Sequence, residues 1–171
     1  MKKIFTLRNI AMALPILFIV AQFIRIDYTN PAFEAKDDFL RINKTSPEIS
    51  NLLRVACYDC HSNETVYPWY SGIAPFSWWV KNHVNDGRRH LNFSIWGTYK
   101  SRRQDHKLEE CGEQIEEGEM PMDSYTWMHD NAQLNDYQKK LLVGYFNSLR
   151  THESDKEEEG EHREGPPKGE H

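Results

Sequence analysis

Ser46-Pro47-Glu48-Ile49-Ser50-Asn51-Leu52-Leu53-Arg54-Val55-Ala56 runs straight into Cys57-Tyr58-Asp59-Cys60-His61. Ser46 suits a helix N-cap and Pro47 the first helical position. Ile49, Leu52, Leu53 and Ala56 recur at helical spacing, so a helix delivers the chain to the cysteines. Residues 57–61 read C-x-x-C-H, the attachment sequence of a c-type haem. The spacing has a physical reason. Two thiols must reach the two vinyl groups on one edge of a porphyrin, and the next residue must bring its imidazole to the iron. One helical turn holds all three side chains on one side. Cys57 and Cys60 are therefore assigned to thioether bonds with one covalent haem c, and His61 to the proximal iron position. Competing readings are a zinc site, a redox dithiol and a disulfide. Zinc needs two more ligands at similar spacing, and only Cys111 and a histidine offer an irregular set. A redox dithiol belongs in a βαβ context, which the sequence lacks. A Cys57–Cys60 disulfide closes a very tight loop.

Further along, Pro75 to about Asp86 reads as a second helix stopped by Gly87, with Phe76, Trp79, Val80 and His83 on its apolar face. Asp105 reads as the cap of a third helix carrying Leu108, Cys111 and Ile115 and ending at Gly118. Asn135 reads as the cap of a fourth, with Tyr137, Leu141, Leu142, Tyr145, Phe146 and Leu149 as its stripe. No run alternates with period two, so the expected fold is all-α. Cys111 reads as a small buried hydrophobe on its stripe.

The sixth iron ligand is expected at Met120. Met120 lies between Gly118-Glu119 and Pro121, in a loop able to bring a thioether sulfur to a haem, and such a ligand raises the potential. Met122, Met128, His83, His90, His106 and His129 are the other candidates, and an open site is the remaining alternative. Six aromatic residues fall within thirteen positions, in Tyr67-Pro68-Trp69-Tyr70 and Phe76-Ser77-Trp78-Trp79. Most are expected in the core, and Trp79 is a candidate haem contact because a flat apolar ring suits the cofactor's face. Arg88 and Arg89 are candidate partners for its propionates.

The chain has 171 residues, 39% hydrophobic and 27% charged, which suits one ordinary domain with tails. The net charge of −5 argues against a general nucleic-acid binder. Residues 151–171 carry 3 basic and 8 acidic residues and so account for all of it. They are expected to form a disordered acidic tail. At the other end, Lys2, Lys3 and Arg8 precede an apolar run from Ile10 to Ile24. That pattern exports the rest of the chain, either as a cleaved signal or as an uncleaved anchor with its N-terminus in the cytoplasm. A span wants ~20 apolar residues, so the 15 here rely on Arg8 and Arg25 snorkelling to serve as a transmembrane helix. The expected organisation is an anchor over 1–26, an extended leader over 27–45, a haem c domain over 46–150 and the tail over 151–171.

The order of helix, C-x-x-C-H, Met-Pro loop and final amphipathic helix resembles the class I cytochrome c layout. More specifically, the chain is similar to the bacterial haem-binding domain family with a single C-x-x-C-H. The matching stretches are Cys57-Tyr58-Asp59-Cys60-His61-Ser62-Asn63 and Thr65-Val66-Tyr67-Pro68-Trp69-Tyr70-Ser71. They continue with Ile73-Ala74-Pro75-Phe76-Ser77-Trp78-Trp79-Val80, His83-Val84, Gly87-Arg88-Arg89, Leu91-Asn92-Phe93-Ser94 and Gly118-Glu119-Met120-Pro121. The resemblance spans roughly residues 30–150. It implies an exported or membrane-tethered haem c protein and no defined substrate. The leading expectation is a non-enzymatic electron carrier, because a haem with both axial positions filled exchanges electrons and does not bind substrate. It would sit on the periplasmic face of a bacterial inner membrane and serve redox partners or a respiratory complex. A soluble periplasmic protein is the alternative location. A peroxidase or gas sensor with an open site, and a structural subunit of a respiratory complex, are the alternative functions.

Overall fold

The computed structural model describes residues 7–151, and every regular element among them is helical. The helices are α1 (Leu7–Ala21), α2 (Phe39–Ile42), α3 (Pro47–Ala56), α4 (Tyr58–His61), α5 (Phe76–His90), α6 (Ser101–Glu116), α7 (Asp123–Thr126) and α8 (Asp136–Leu149), with short 3-10 turns between them. The acidic tail, apart from Thr151, lies outside the described residues.

Two expected starts are met. The Ser46 side chain accepts from the Ile49 amide at the start of α3. Asn135 and Gln138 form a reciprocal capping box on α8. The core lies where α6 packs along α8 and α3 meets α8. Leu53, Leu108, Ile115, Leu142 and Phe146 are buried there.

Elsewhere the expectations change. The segment read as an extended leader supplies the centre of the core. Phe39 is fully buried and meets the rings of Phe93 and Trp96 at 5.0 Å and Phe146 at 6.1 Å. The adjacent Asp38 caps α2 through the amides of Leu40 and Arg41, and its other oxygen accepts from the Tyr58 hydroxyl at 3.0 Å. Tyr58 stacks on Phe93 with centroids 5.3 Å apart. The residue after Cys57 is thus locked to the leader.

Asp105 is not a cap. It lies inside α6, almost fully buried, and accepts from the Thr151 amide at 2.7 Å, just past the end of α8. Arg150 reaches the same carboxylate and Glu109. The buried face of α5 is Ser77, Val80 and Val84, so Phe76 and Trp79 stand exposed. On α8, Tyr137 is exposed as well.

The helix expected as an anchor is α1, 15 residues long with Pro15 inside it. At ~1.5 Å per residue it reaches ~22 Å, against ~30 Å of bilayer hydrocarbon. Among the described residues no helix is long and apolar enough to cross a membrane. Its side chains from Ile10 to Val20 are nonetheless largely exposed and apolar.

Candidate functional site

The C-x-x-C-H stretch forms one turn. Cys57 ends α3, its amide bonded to the Leu53 carbonyl, and its own carbonyl accepts from the amides of Cys60 and His61. This turn lies against α5 at a contact that only glycine permits. A Cβ on Gly87 would stand 2.6 Å from the Cys60 carbonyl oxygen and 3.1 Å from the Cys60 Cβ. Gly87 therefore does not stop its helix, which continues to His90. Its carbonyl faces His61 Nδ1 at 3.0 Å, with the Leu91 carbonyl at 3.3 Å. Burial holds the imidazole below its ordinary range, while these carbonyls act in the opposite direction. A neutral ring donating from Nδ1 leaves Nε2 with a free lone pair.

Cys57, Cys60, His61 and Met120 all line one cavity of about 590 Å³. That volume falls within the ~300–1,000 Å³ of small-molecule and cofactor sites. Val80, Val84, Leu91, Phe93, Ile115 and Phe146 contribute apolar wall. Met120 arrives from the turn that closes α6. Gly118 there has φ of +79°, a left-handed conformation that suits glycine, and the Met120 amide bonds back to the Gln114 carbonyl at 3.0 Å. Met122, His83 and His90 also border the cavity, whereas Met128, His106 and His129 do not. His83 Nδ1 lies 2.8 Å from the Trp79 carbonyl, and the two rings are in contact.

The structure brings Trp79 to the cavity but not Arg88 or Arg89. Arg88 binds the Ser62 carbonyl at 2.7 Å, Asn30 Oδ1 at 2.7 Å and Thr65 Oγ1 at 2.8 Å. It clamps the loop leaving the cysteine turn. Arg89 pairs with Asp86 at the surface. Several other residues hold the turn in place, and sequence reasoning gave them no role. Asn63, Asn92 and Ser94 form a buried polar lock, with the Asn63 amide on Ser94 Oγ at 2.9 Å and the Asn92 amide group on Asn63 Oδ1 at 2.8 Å. Their only signal was their place in the matching stretches.

Asp59, between the two cysteines, is equally committed. One carboxylate oxygen accepts from the Val66 amide at 3.0 Å and the other from the Tyr125 hydroxyl at 2.8 Å. Tyr125 also donates towards the Val55 carbonyl at 3.2 Å. Burial and the Asp59 bond push its hydroxyl above the usual phenol range, so it stays protonated and donating. This bond joins the cysteine turn to α7 across the cavity lining. Tyr125→Phe is expected to lower stability by about 1.5–3 kcal/mol, the worth of a hydrogen bond to a charged group. Urea denaturation of the full chain measures it, and an unchanged midpoint would show that the bond is not needed.

Burial pushes the Cys57 thiol up to about 12, with Cys60 as the next raising cause, and Cys60 up to about 11, with Asp59 as the next. Cys111, another residue of the cavity wall, is raised by burial too. A redox dithiol needs the opposite shift. All three cysteines are free thiols, and no group of three or more His, Cys, Asp or Glu among the described residues could hold a metal ion.

A haem fits this donor set. The cavity is mostly apolar, a neutral imidazole nitrogen and a thioether sulfur border it, and two protonated thiols stand beside them. A family model described as a haem-binding domain matches residues 16–148. No curated protein and no solved structure matches the chain.

Proposed function

The chain belongs to the haem-binding domain family, and from that premise we propose that it is an exported c-type cytochrome that carries single electrons. Cys57 and Cys60 would hold one haem c through thioether bonds, His61 would ligate the iron from α4, and Met120 would ligate it from the turn after α6. The observation that carries this reading is that all four side chains border a single cavity. The class I cytochrome c arrangement belongs to the same proposal.

When bound, the cofactor supplies a one-electron couple at its iron. The chain's own residues keep that couple in place and tune it. The Gly87 and Leu91 carbonyls fix the imidazole's tautomer and orientation and make Nε2 a better donor. The Gln114 carbonyl holds the Met120 backbone. The apolar wall lowers the local dielectric, which raises the cost of adding charge at the centre. The basic start and exposed apolar α1 support export to the periplasmic side of a bacterial inner membrane, where the partners would be redox proteins or a respiratory complex.

Carbon monoxide tests this function directly. Added to the reduced, matured full chain, it should leave the visible spectrum unchanged, because Met120 would hold the iron on the side away from His61. A prompt spectral shift would mean an open site, and would transfer the function to a gas sensor or peroxidase.

A further inference from the structure

Beyond the haem cavity, the molecule exposes a second apolar feature that is tied to α1. On α5, Phe76, Trp78 and Trp79 are 58%, 37% and 44% exposed. Trp79 packs on His83 at the rim of the cavity, but Phe76 and Trp78 lie outside it, and large exposed rings of this kind mark an interaction site.

Three hydrogen bonds fix where this surface lies. The Gln22 side chain binds the Ala74 backbone twice, donating to its carbonyl at 3.1 Å and accepting from its amide at 3.0 Å. The Trp78 indole donates to the Ile24 carbonyl at 3.0 Å. Trp78 therefore sits at the C-terminal end of the apolar α1 segment, beside the exposed Phe23 and Ile24, with the exposed Phe76 two residues before it on α5. Arg25 and Asp27 come immediately after, so the apolar segment gives way to charge at this level.

An apolar helix that ends in tryptophans and then charge matches the profile of a bilayer from acyl chains to headgroups. Tryptophan concentrates at that boundary because its ring is apolar and its N–H is polar. We propose that Phe76 and Trp78 seat the domain on the lipid–water boundary, continuing into the membrane along α1. The occupant of the face is lipid, which explains how a helix too short to span can still hold the domain at one orientation. Trp79, the residue after Trp78, lines the cavity, so the seat places that edge of the cavity near the bilayer. The proposal rests on the reading of α1 as a lipid-inserted segment.

The test reconstitutes the matured full chain in phosphatidylcholine vesicles that contain a lipid with a photoactivatable carbene precursor on its upper acyl chain. After illumination, mass spectrometry locates the adducts. Adducts on both α1 and residues 76–78 are expected. Adducts confined to α1 would overturn the seat while leaving insertion of α1 intact. If a water-soluble carbene probe then also failed to reach Phe76 and Trp78, protein would be what covers the face. Absence of adducts from α1 itself would overturn the underlying reading and the seat together.

Discussion

Replacing both Cys57 and Cys60 by alanine should yield a chain that neither retains haem nor folds stably. The expectation comes from the size of the cavity relative to the core. At ~24 cal/mol per Å³, leaving a void of about 590 Å³ unfilled costs on the order of 10 kcal/mol. Partial hydration through the open side reduces that figure. Even so, it is comparable with the entire stability of a typical domain, about 5–15 kcal/mol. Core residues Leu91, Phe93, Ile115 and Phe146 all border the cavity, so they lose packing on one side. Circular dichroism and limited proteolysis of the double variant against the matured wild type measure the effect. A haem-free double variant that stays helical, resists protease and melts cooperatively would show that the polypeptide core suffices.

Gly87→Ala should be the next most damaging change, although it is a glycine-to-alanine change inside a helix. Intrinsic propensity favours the change by about 1 kcal/mol. The clash opposes it, because the new Cβ would meet backbone atoms of Cys60, which cannot rotate away as a side-chain tip could. Overpacking against such a neighbour costs about 1–3 kcal/mol or more, and the upper end is expected here. To relieve it, α5 must move off the cysteine turn, taking the Gly87 carbonyl away from His61. The variant should lose at least ~2 kcal/mol net of stability and mature with less haem. Gly144→Ala on α8 is the internal control. Nothing lies within 4 Å of its new Cβ, so propensity alone acts and stability should hold or rise. Denaturation midpoints and haem content of the two variants are the measurements. Equal behaviour would mean that the contact between α5 and the cysteine turn is slack.

This pair of glycines also shows what the sequence makes legible. Local chemistry is readable: Ser46-Pro47 starts α3, the Asn135–Gln138 box starts α8, and the expectation of a haem agrees with the family the chain belongs to. Long-range contact is not. Gly87 looks like a helix stop because its role lies in another element, against Cys60. Asp105 looks like a cap because its partner, the Thr151 amide, is 46 positions away. Phe39 lies in a polar stretch with no period, yet it fills the centre of the core. Arg88 has the charge expected of a propionate partner, but a buried loop carbonyl and two polar side chains already engage it. The aromatic segment reads as core by composition, whereas Phe76 and Trp79 turn outward because Val80 and Val84 take the inner face of α5.

In the proposed cytochrome, His61 and Met120 jointly ligate one covalent haem in the cavity they share. Visible and red absorption spectra of the matured full chain, oxidised and reduced, test it most directly. A c-type reduced spectrum and a weak sulfur-to-iron band in the oxidised protein are expected. That band should vanish in Met120→Ala while the covalent haem remains. A band that survives the substitution, a high-spin wild type, or a chain without covalent haem would contradict it.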